Sequence, residues 1–212
     1  MKTKKQENKT EIAKRFLTGT IEMRAEAGDE FQAESNILIG YASVFGIEAE
    51  IGGYFREKIQ KGAFSRAINE SQDVRALVDH EPSKILGRTK AKTLSLREDE
   101  KGLAVEIQLP DTTLAKDIRE SIKRGDISQM SIGFIVRQEE WDYKQEVPLR
   151  TISDVDLFDV SVVTYPAFED TEISLRNAQE AFKESKESQP LKKGFPKILR
   201  VKLDLLDKAR RH

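Results

Sequence analysis

The stretch VDLFDVSVVT, residues 155–164, decides the fold. In an extended strand, successive side chains point to opposite faces. Leu157, Asp159 and Ser161 would therefore share one face, and both faces of the stretch are largely apolar. A strand that is apolar on both faces is typically covered on both sides, so this segment is predicted to close the hydrophobic core. Pro166 follows and ends the strand, because proline cannot donate to a ladder of strand hydrogen bonds.

Strand patterns recur through the rest of the chain. The clearest is LAVEIQL, residues 103–109, in which large apolar side chains alternate with a period of two. Other strands are predicted near residues 16–21, 37–45, 74–78, 85–96, 127–136 and 149–152. Two helices are predicted, at 62–71 and at 111–125, the second capped by Asp111 and stopped by Gly125. With about seven to nine strands and few helical crossovers, a mainly β fold with flanking helices is expected, as an antiparallel barrel or a sandwich.

The composition excludes several kinds of chemistry. The chain has 212 residues, enough for one core with tails, and it contains no cysteine. Disulfides, thiolate catalysis and cysteine-based zinc sites are therefore excluded. The only histidines are His80 and His212, so a zinc site built on several histidines is nearly excluded as well. No metal and no cofactor is predicted.

Charge and hydropathy limit the partners. The net charge of −1 provides no general attraction to nucleic acid. The longest apolar-leaning stretch, residues 37–45, is too short to cross a bilayer, so no membrane partner is expected. The basic N-terminus has no apolar run behind it, unlike a signal peptide. A cytoplasmic protein is expected.

The composition divides the chain into three parts. Residues 1–14 are predicted to be a disordered basic arm, and residues 15–176 a folded domain. Residues 177–212 are predicted to be a polar linker followed by a basic amphipathic tail. The tail has two interpretations: a solvated, partly helical segment, or a helix that docks on a partner.

Ser131 and His80 are the first candidates for catalysis. Ser131 lies in a predicted strand beside Gly133, which would leave room for another backbone to approach the hydroxyl. Taken alone, this segment favours an ordinary strand serine without a catalytic role. A serine hydroxyl needs an adjacent base to act as a nucleophile, and His80 is the only histidine in the predicted core. Histidine suits this role because its ordinary pKa, about 6.5, lies near neutral pH.

Asp159 is the candidate acid. A carboxylate in a doubly buried strand is costly unless it is paired or hydrogen-bonded. A hydrogen bond to the His80 imidazole would satisfy it and orient the base. The alternatives for Asp159 are a salt bridge to an arginine and a surface position at the strand end. Asp156, on the other face of the strand, is the reserve candidate.

Five segments, in this order, carry a resemblance to a known family. They are GYASVFG at 40–46, KGAF at 61–64, DH at 79–80 with ILGRT at 85–89, DISQMSIGF at 126–134, and DVSVVTYPA at 159–167. Together they resemble the prohead serine proteases of tailed phages, which are related in fold to the herpesvirus maturation proteases. The resemblance covers about residues 15–176 and rests on the order of the segments rather than on any one of them.

This resemblance implies a fold and a set of site residues. The fold would be a closed or partly closed antiparallel β-barrel of the herpesvirus-protease type, flanked by helices. The nucleophile falls on Ser131 and the base on His80. Relatives usually carry Glu where this chain has Asp159, and the herpesvirus enzymes use a second histidine in that role, for which His212 in the tail is unsuited.

The resemblance also implies an activity and partners. The activity would be endopeptidase cleavage of the scaffold, or of the scaffolding segment of the major capsid protein, inside the assembling procapsid in the host cytoplasm. Cleavage of the enzyme's own ends is typical, and a homo-oligomer is allowed. The alternatives are a catalytically inactive β-barrel that binds capsid or scaffold proteins, and a nucleic-acid-binding barrel that uses the basic termini.

Overall fold

The computed structural model describes residues 13–23 (side chains from Thr20 onward), 36–165 and 181–185. Its ten strands are β1 (Ala13–Met23), β2 (Ile37–Val44), β3 (Ala49–Ile51), β4 (Phe55–Ile59), β5 (Arg75–Val78), β6 (Glu81–Arg88), β7 (Leu94–Glu98), β8 (Gly102–Gln108), β9 (Gln129–Asp142) and β10 (Leu149–Val163). The two helices are α1 (Ser65–Asn69) and α2 (Thr113–Arg124). Residues 181–185 form one further helical turn.

All ten strands belong to one mixed sheet, in the order β3-β4-β10-β9-β1-β2-β8-β7, with β5 joined to β10 and β6 to β5. The long strand β10 is its centre. Antiparallel β9 pairs with one of its edges, while β4 and then β5 run parallel along the other. Buried valines and a leucine between Val155 and Val163 confirm that this strand closes the core.

The mainly β fold is confirmed, but closure into an antiparallel barrel is not supported. The path of paired strands ends at β3 and at β7, and closure would require the strands at its two ends to pair with each other. Among the described residues no such pairing joins them. The sheet is mixed because β10 runs in the same direction as β4 and β5, which the local sequence pattern did not reveal.

The helix α2 packs on the sheet through Ala115, Ile118 and Ile122. Thr112, not Asp111, is its N-cap: the Thr112 hydroxyl accepts a hydrogen bond from the Ala115 N–H at 3.3 Å. Gly125 ends the helix with φ of 82°, as predicted. No helix among the described segments is long and apolar enough to span a membrane.

A second, smaller cluster lies away from the main core. The side chain of Phe182, from the helical turn 181–185, is fully buried against Tyr54, Phe55 and Trp141. Arg150 lies beside this cluster and pairs with the fully buried Glu57. The predicted arm 1–14 and tail 177–212 lie outside the described residues, except for Ala13, Lys14 and this one turn.

Candidate active site

His80 lies in the two-residue turn between β5 and β6. Asp79 and His80 both have positive φ, 51° and 57°, as a tight type I′ hairpin turn requires. The Asp79 carboxylate accepts hydrogen bonds from the backbone N–H and the hydroxyl of Thr164, at 2.8 and 2.7 Å. These bonds fasten the turn to the end of β10, and the imidazole lies over β9 and β10.

The structure brings the three predicted residues together. His80 Nε2 lies 2.6 Å from Ser131 Oγ, and His80 Nδ1 lies 2.6 Å from Asp159 Oδ1. Because a carboxylate only accepts hydrogen bonds, Nδ1 carries the proton and Nε2 accepts from the Ser131 hydroxyl. All three side chains are buried, and Ser131 has no exposed surface. The arrangement is a serine–histidine–aspartate triad by geometry.

A β-bulge turns Asp159 toward the histidine. Leu157 pairs with Phe134, but Asp159 pairs with Gly133, so Phe158 is an extra residue without an opposite partner. Directly paired residues share a face, and Phe134 and Gly133 are consecutive on β9. Leu157 and Asp159 therefore lie on opposite faces, and the prediction that they share one was wrong because it assumed an unbroken strand.

Gly133 makes room for the acid. An ideal Cβ at this position would lie 2.1 Å from Asp159 Oδ2 and 3.0 Å from its Cγ. The glycine was predicted to admit another backbone beside Ser131. Instead, the space that its missing side chain leaves is filled by the Asp159 carboxylate.

Ser161 is a member of the site that the sequence did not single out. Its hydroxyl donates to Asp159 Oδ1 at 2.6 Å and lies 3.3 Å from His80 Nδ1. It is fully buried and directly opposite Ser131 in the β9–β10 register. Only its shared strand face with Asp159 could have pointed to it.

The reserve candidate, Asp156, has a different environment. It accepts hydrogen bonds from Arg137, Arg66 and Gln72. The Arg137 hydrogen bond is the main cause that lowers the pKa of Asp156 to about 2. Asp156 therefore pairs with two arginines, whereas Asp159 contacts the imidazole.

Within the described part of the chain, no group of three or more histidine, cysteine or acidic residues is placed to hold a metal ion. His212 lies outside that part. The chemistry available at the described site is that of a hydroxyl, an imidazole and a carboxylate.

A mainly β protein with this hydrogen-bonded set belongs, by its site, to the class of serine hydrolases that includes the serine proteases. Comparison with known proteins specifies the class further. The chain matches the Caudovirus prohead serine protease family over residues 20–186, and it belongs to that family. The resemblance read from five sequence segments is confirmed.

One characterised relative is the prohead protease of Enterobacteria phage HK97. The two sequences are 33% identical over 144 residues, which are 66% of this chain. The match spans 60% of the length of that relative. No solved structure gives a significant match.

Proposed function

We propose that this chain is a serine endopeptidase of phage prohead maturation, with Ser131 as nucleophile, His80 as general base and Asp159 as the acid that orients it. The supporting observation is the continuous hydrogen-bonded path from Ser131 Oγ through both imidazole nitrogens to Asp159 Oδ1. Family membership supports the serine protease activity.

The geometry suits acyl transfer. Ser131 Oγ attacks the carbonyl carbon of the scissile peptide bond while its proton passes to His80 Nε2. The imidazolium, held by Asp159, then gives that proton to the leaving amine as the C–N bond breaks. Water, deprotonated by the same nitrogen, then attacks the acyl carbon, the bond to Ser131 Oγ breaks, and Oγ takes the proton back from Nε2. These steps require no metal and no cofactor.

The proposed substrates are the scaffold protein and the scaffolding segment of the major capsid protein, and the proposed place is the assembling procapsid in the host cytoplasm. We also propose cleavage of the enzyme's own ends. The family and the name of the HK97 relative support a role in the prohead. Since Ser131 is fully buried, a substrate carbonyl reaches it only when the residues that cover it move.

The test is co-expression of the chain with its capsid and scaffold proteins. Wild type should yield processed fragments, and Ser131→Ala and His80→Ala should yield none. Ser128→Ala is the matched control, because this exposed serine lies three positions from Ser131 and processing should continue. Identical gels for wild type and Ser131→Ala would favour the inactive binding module instead.

The tail is proposed to bind scaffold or capsid protein and so to package the enzyme. A truncation that tests this should remove residues 187–212 and keep 181–185, because Phe182 is buried in the second cluster. Reduced packaging with unchanged peptidase activity is the expected result. Unchanged packaging would rule the proposal out.

A further inference from the structure

A cluster of charged side chains lies at the start of the β5–β6 hairpin. It consists of Asp73, Arg75, Arg88 and Lys90, and is called the Asp73 cluster below. Arg88 donates to Asp73 through Nε at 2.7 Å and Nη2 at 2.6 Å. Arg75 Nη2 lies 3.2 Å and Lys90 Nζ 3.9 Å from the same carboxylate. Three cations therefore share one anion.

The Asp73 cluster lies on the same sheet face as the proposed triad. Arg75 is directly opposite Asp159 on β10, and Arg88 is directly opposite Arg75 on β6. Side chains of directly paired residues project to one side of a sheet. A row of directly paired residues thus runs across the sheet from Asp159 on β10 to Arg75 on β5 and Arg88 on β6.

The neighbouring row connects this cluster with the nucleophile. In register, Ser131 is followed by Ser161, then Leu77, then Ile85. Ile85 is 48% exposed, a large apolar side chain open to solvent. With strands about 4.8 Å apart and about 3.3 Å per residue, Arg75 and Arg88 lie roughly 12–16 Å from Ser131. An extended peptide covers that distance in about three to five residues.

The charge on this surface is not balanced locally. Residues 73–92 carry five lysines and arginines against three acidic residues, whereas the whole chain has a net charge of −1. The side chains of Arg75, Arg88 and Lys90 are 39%, 43% and 65% exposed. A guanidinium has five N–H donors, of which Asp73 accepts two from Arg88. One carboxylate therefore faces three cations, so the cluster keeps a positive charge that can bind an anion.

We propose that the Asp73 cluster is a specificity site that binds an acidic side chain of the substrate, about three to five residues from the scissile bond. An apolar substrate side chain contacts Ile85 between the two. This inference rests on the proposed function, because it takes the bound peptide to be the one that Ser131 cleaves.

The first experiment measures binding without catalysis. The full chain with Ser131→Ala is titrated into a fluorescein-labelled peptide rich in glutamate, and into its twin with glutamine at the same positions. The glutamate peptide should bind about tenfold more tightly at low salt, and Arg88→Gln with Lys90→Gln should remove the difference. Arg97→Gln is the matched control, because this exposed arginine lies on β7, outside the cluster. Equal binding of the two peptides would overturn the proposal.

The second experiment uses the cleavage site. Mass spectrometry of the processed fragments maps the cleaved bond, and a peptide around it is compared with one whose acidic residues are replaced by amides. Arg88→Gln with Lys90→Gln should raise the KM of the acidic peptide about tenfold, leave kcat unchanged and leave the amide peptide unaffected. A mapped site with no acidic residue within that range would refute the inference, while absence of any cleavage by wild type would refute the proposed function instead.

A third experiment tests whether the anion bound is a nucleic acid rather than an acidic peptide. It uses a single-stranded oligonucleotide with the same charge as the glutamate peptide. The oligonucleotide should compete weakly with the glutamate peptide. If it bound more tightly and the same two substitutions abolished its binding, the Asp73 cluster would be a nucleic-acid site and the assignment to an acidic peptide would be wrong.

Discussion

Gly133→Ala tests the way in which the acid is positioned. The added Cβ would lie 2.1 Å from Asp159 Oδ2, and ordinary van der Waals contact begins at 3.4 Å. The carboxylate must therefore retreat by roughly 1.3 Å from the β9 strand. A movement of that size breaks its 2.6 Å hydrogen bond to His80 Nδ1.

The expected loss is large in catalysis and small in stability. Misplacing a catalytic group by about 1 Å costs about 10²-fold in rate, and removing the orienting acid from a triad costs about 10⁴-fold in kcat. The kcat of Gly133→Ala should therefore be about 10²- to 10⁴-fold lower than that of the wild type. Gly133 does not have the positive φ that favours glycine, so the backbone accepts alanine and the free energy of unfolding should change by about 1 kcal/mol.

The assay is kcat on the mapped peptide together with thermal unfolding. Gly46→Ala is the control, since Gly46 has φ of 73° and nothing within 4 Å of an added Cβ, so it strains the backbone without contacting the site. Asp159→Ala removes the carboxylate through which Gly133→Ala acts. Adding Gly133→Ala to Asp159→Ala should therefore lower kcat no further. Wild-type kcat in Gly133→Ala, or losses that add in the double variant, would refute the reasoning.

Three further predictions concern other polar and charged side chains. Asp156→Asn should lower stability at neutral pH and retain activity. Because Arg137 lowers the pKa of Asp156 to about 2, the contribution of this carboxylate to stability is present above about pH 3.9 and is lost toward pH 2. Denaturation curves of the variant and the wild type should therefore converge near pH 2. Ser161→Ala should lower kcat about ten- to a hundredfold with KM unchanged, since it removes a hydrogen bond to a charged carboxylate, and steady-state kinetics that show an altered KM alone would contradict this. Arg150→Met takes a guanidinium away from the fully buried Glu57 and should cost about 3–5 kcal/mol in urea unfolding, most of which Glu57→Leu in the same chain should restore.

The sequence predicted the residues of the site but not their environment. Ser131 and His80 stood out because the chain offers no cysteine and one core histidine, and the family segments placed both. Asp159 followed from the cost of burying a carboxylate without a partner. Whether these assignments describe catalysis remains a prediction for the experiments above.

The bulge at Phe158 could not be predicted from a period of two. A bulge depends on which residues of the opposite strand are paired, and pairing between strands is a long-range property. The same limit explains why the pattern missed the parallel pairs of β10 with β4 and β5 and suggested an antiparallel barrel. Local alternation shows that a strand exists, not which strand lies next to it.

The shorter acid of this chain has a physical explanation in these elements. An aspartate reaches one methylene less far from its backbone than a glutamate would. The bulge turns Asp159 onto the face of Ser131, Gly133 lets its carboxylate lie close over β9, and the Asp79 turn brings the imidazole down to meet it. The bulge, Gly133 and the Asp79 turn together bring the short carboxylate within hydrogen-bonding distance of the imidazole. The position of Asp159 therefore depends on all three of these features.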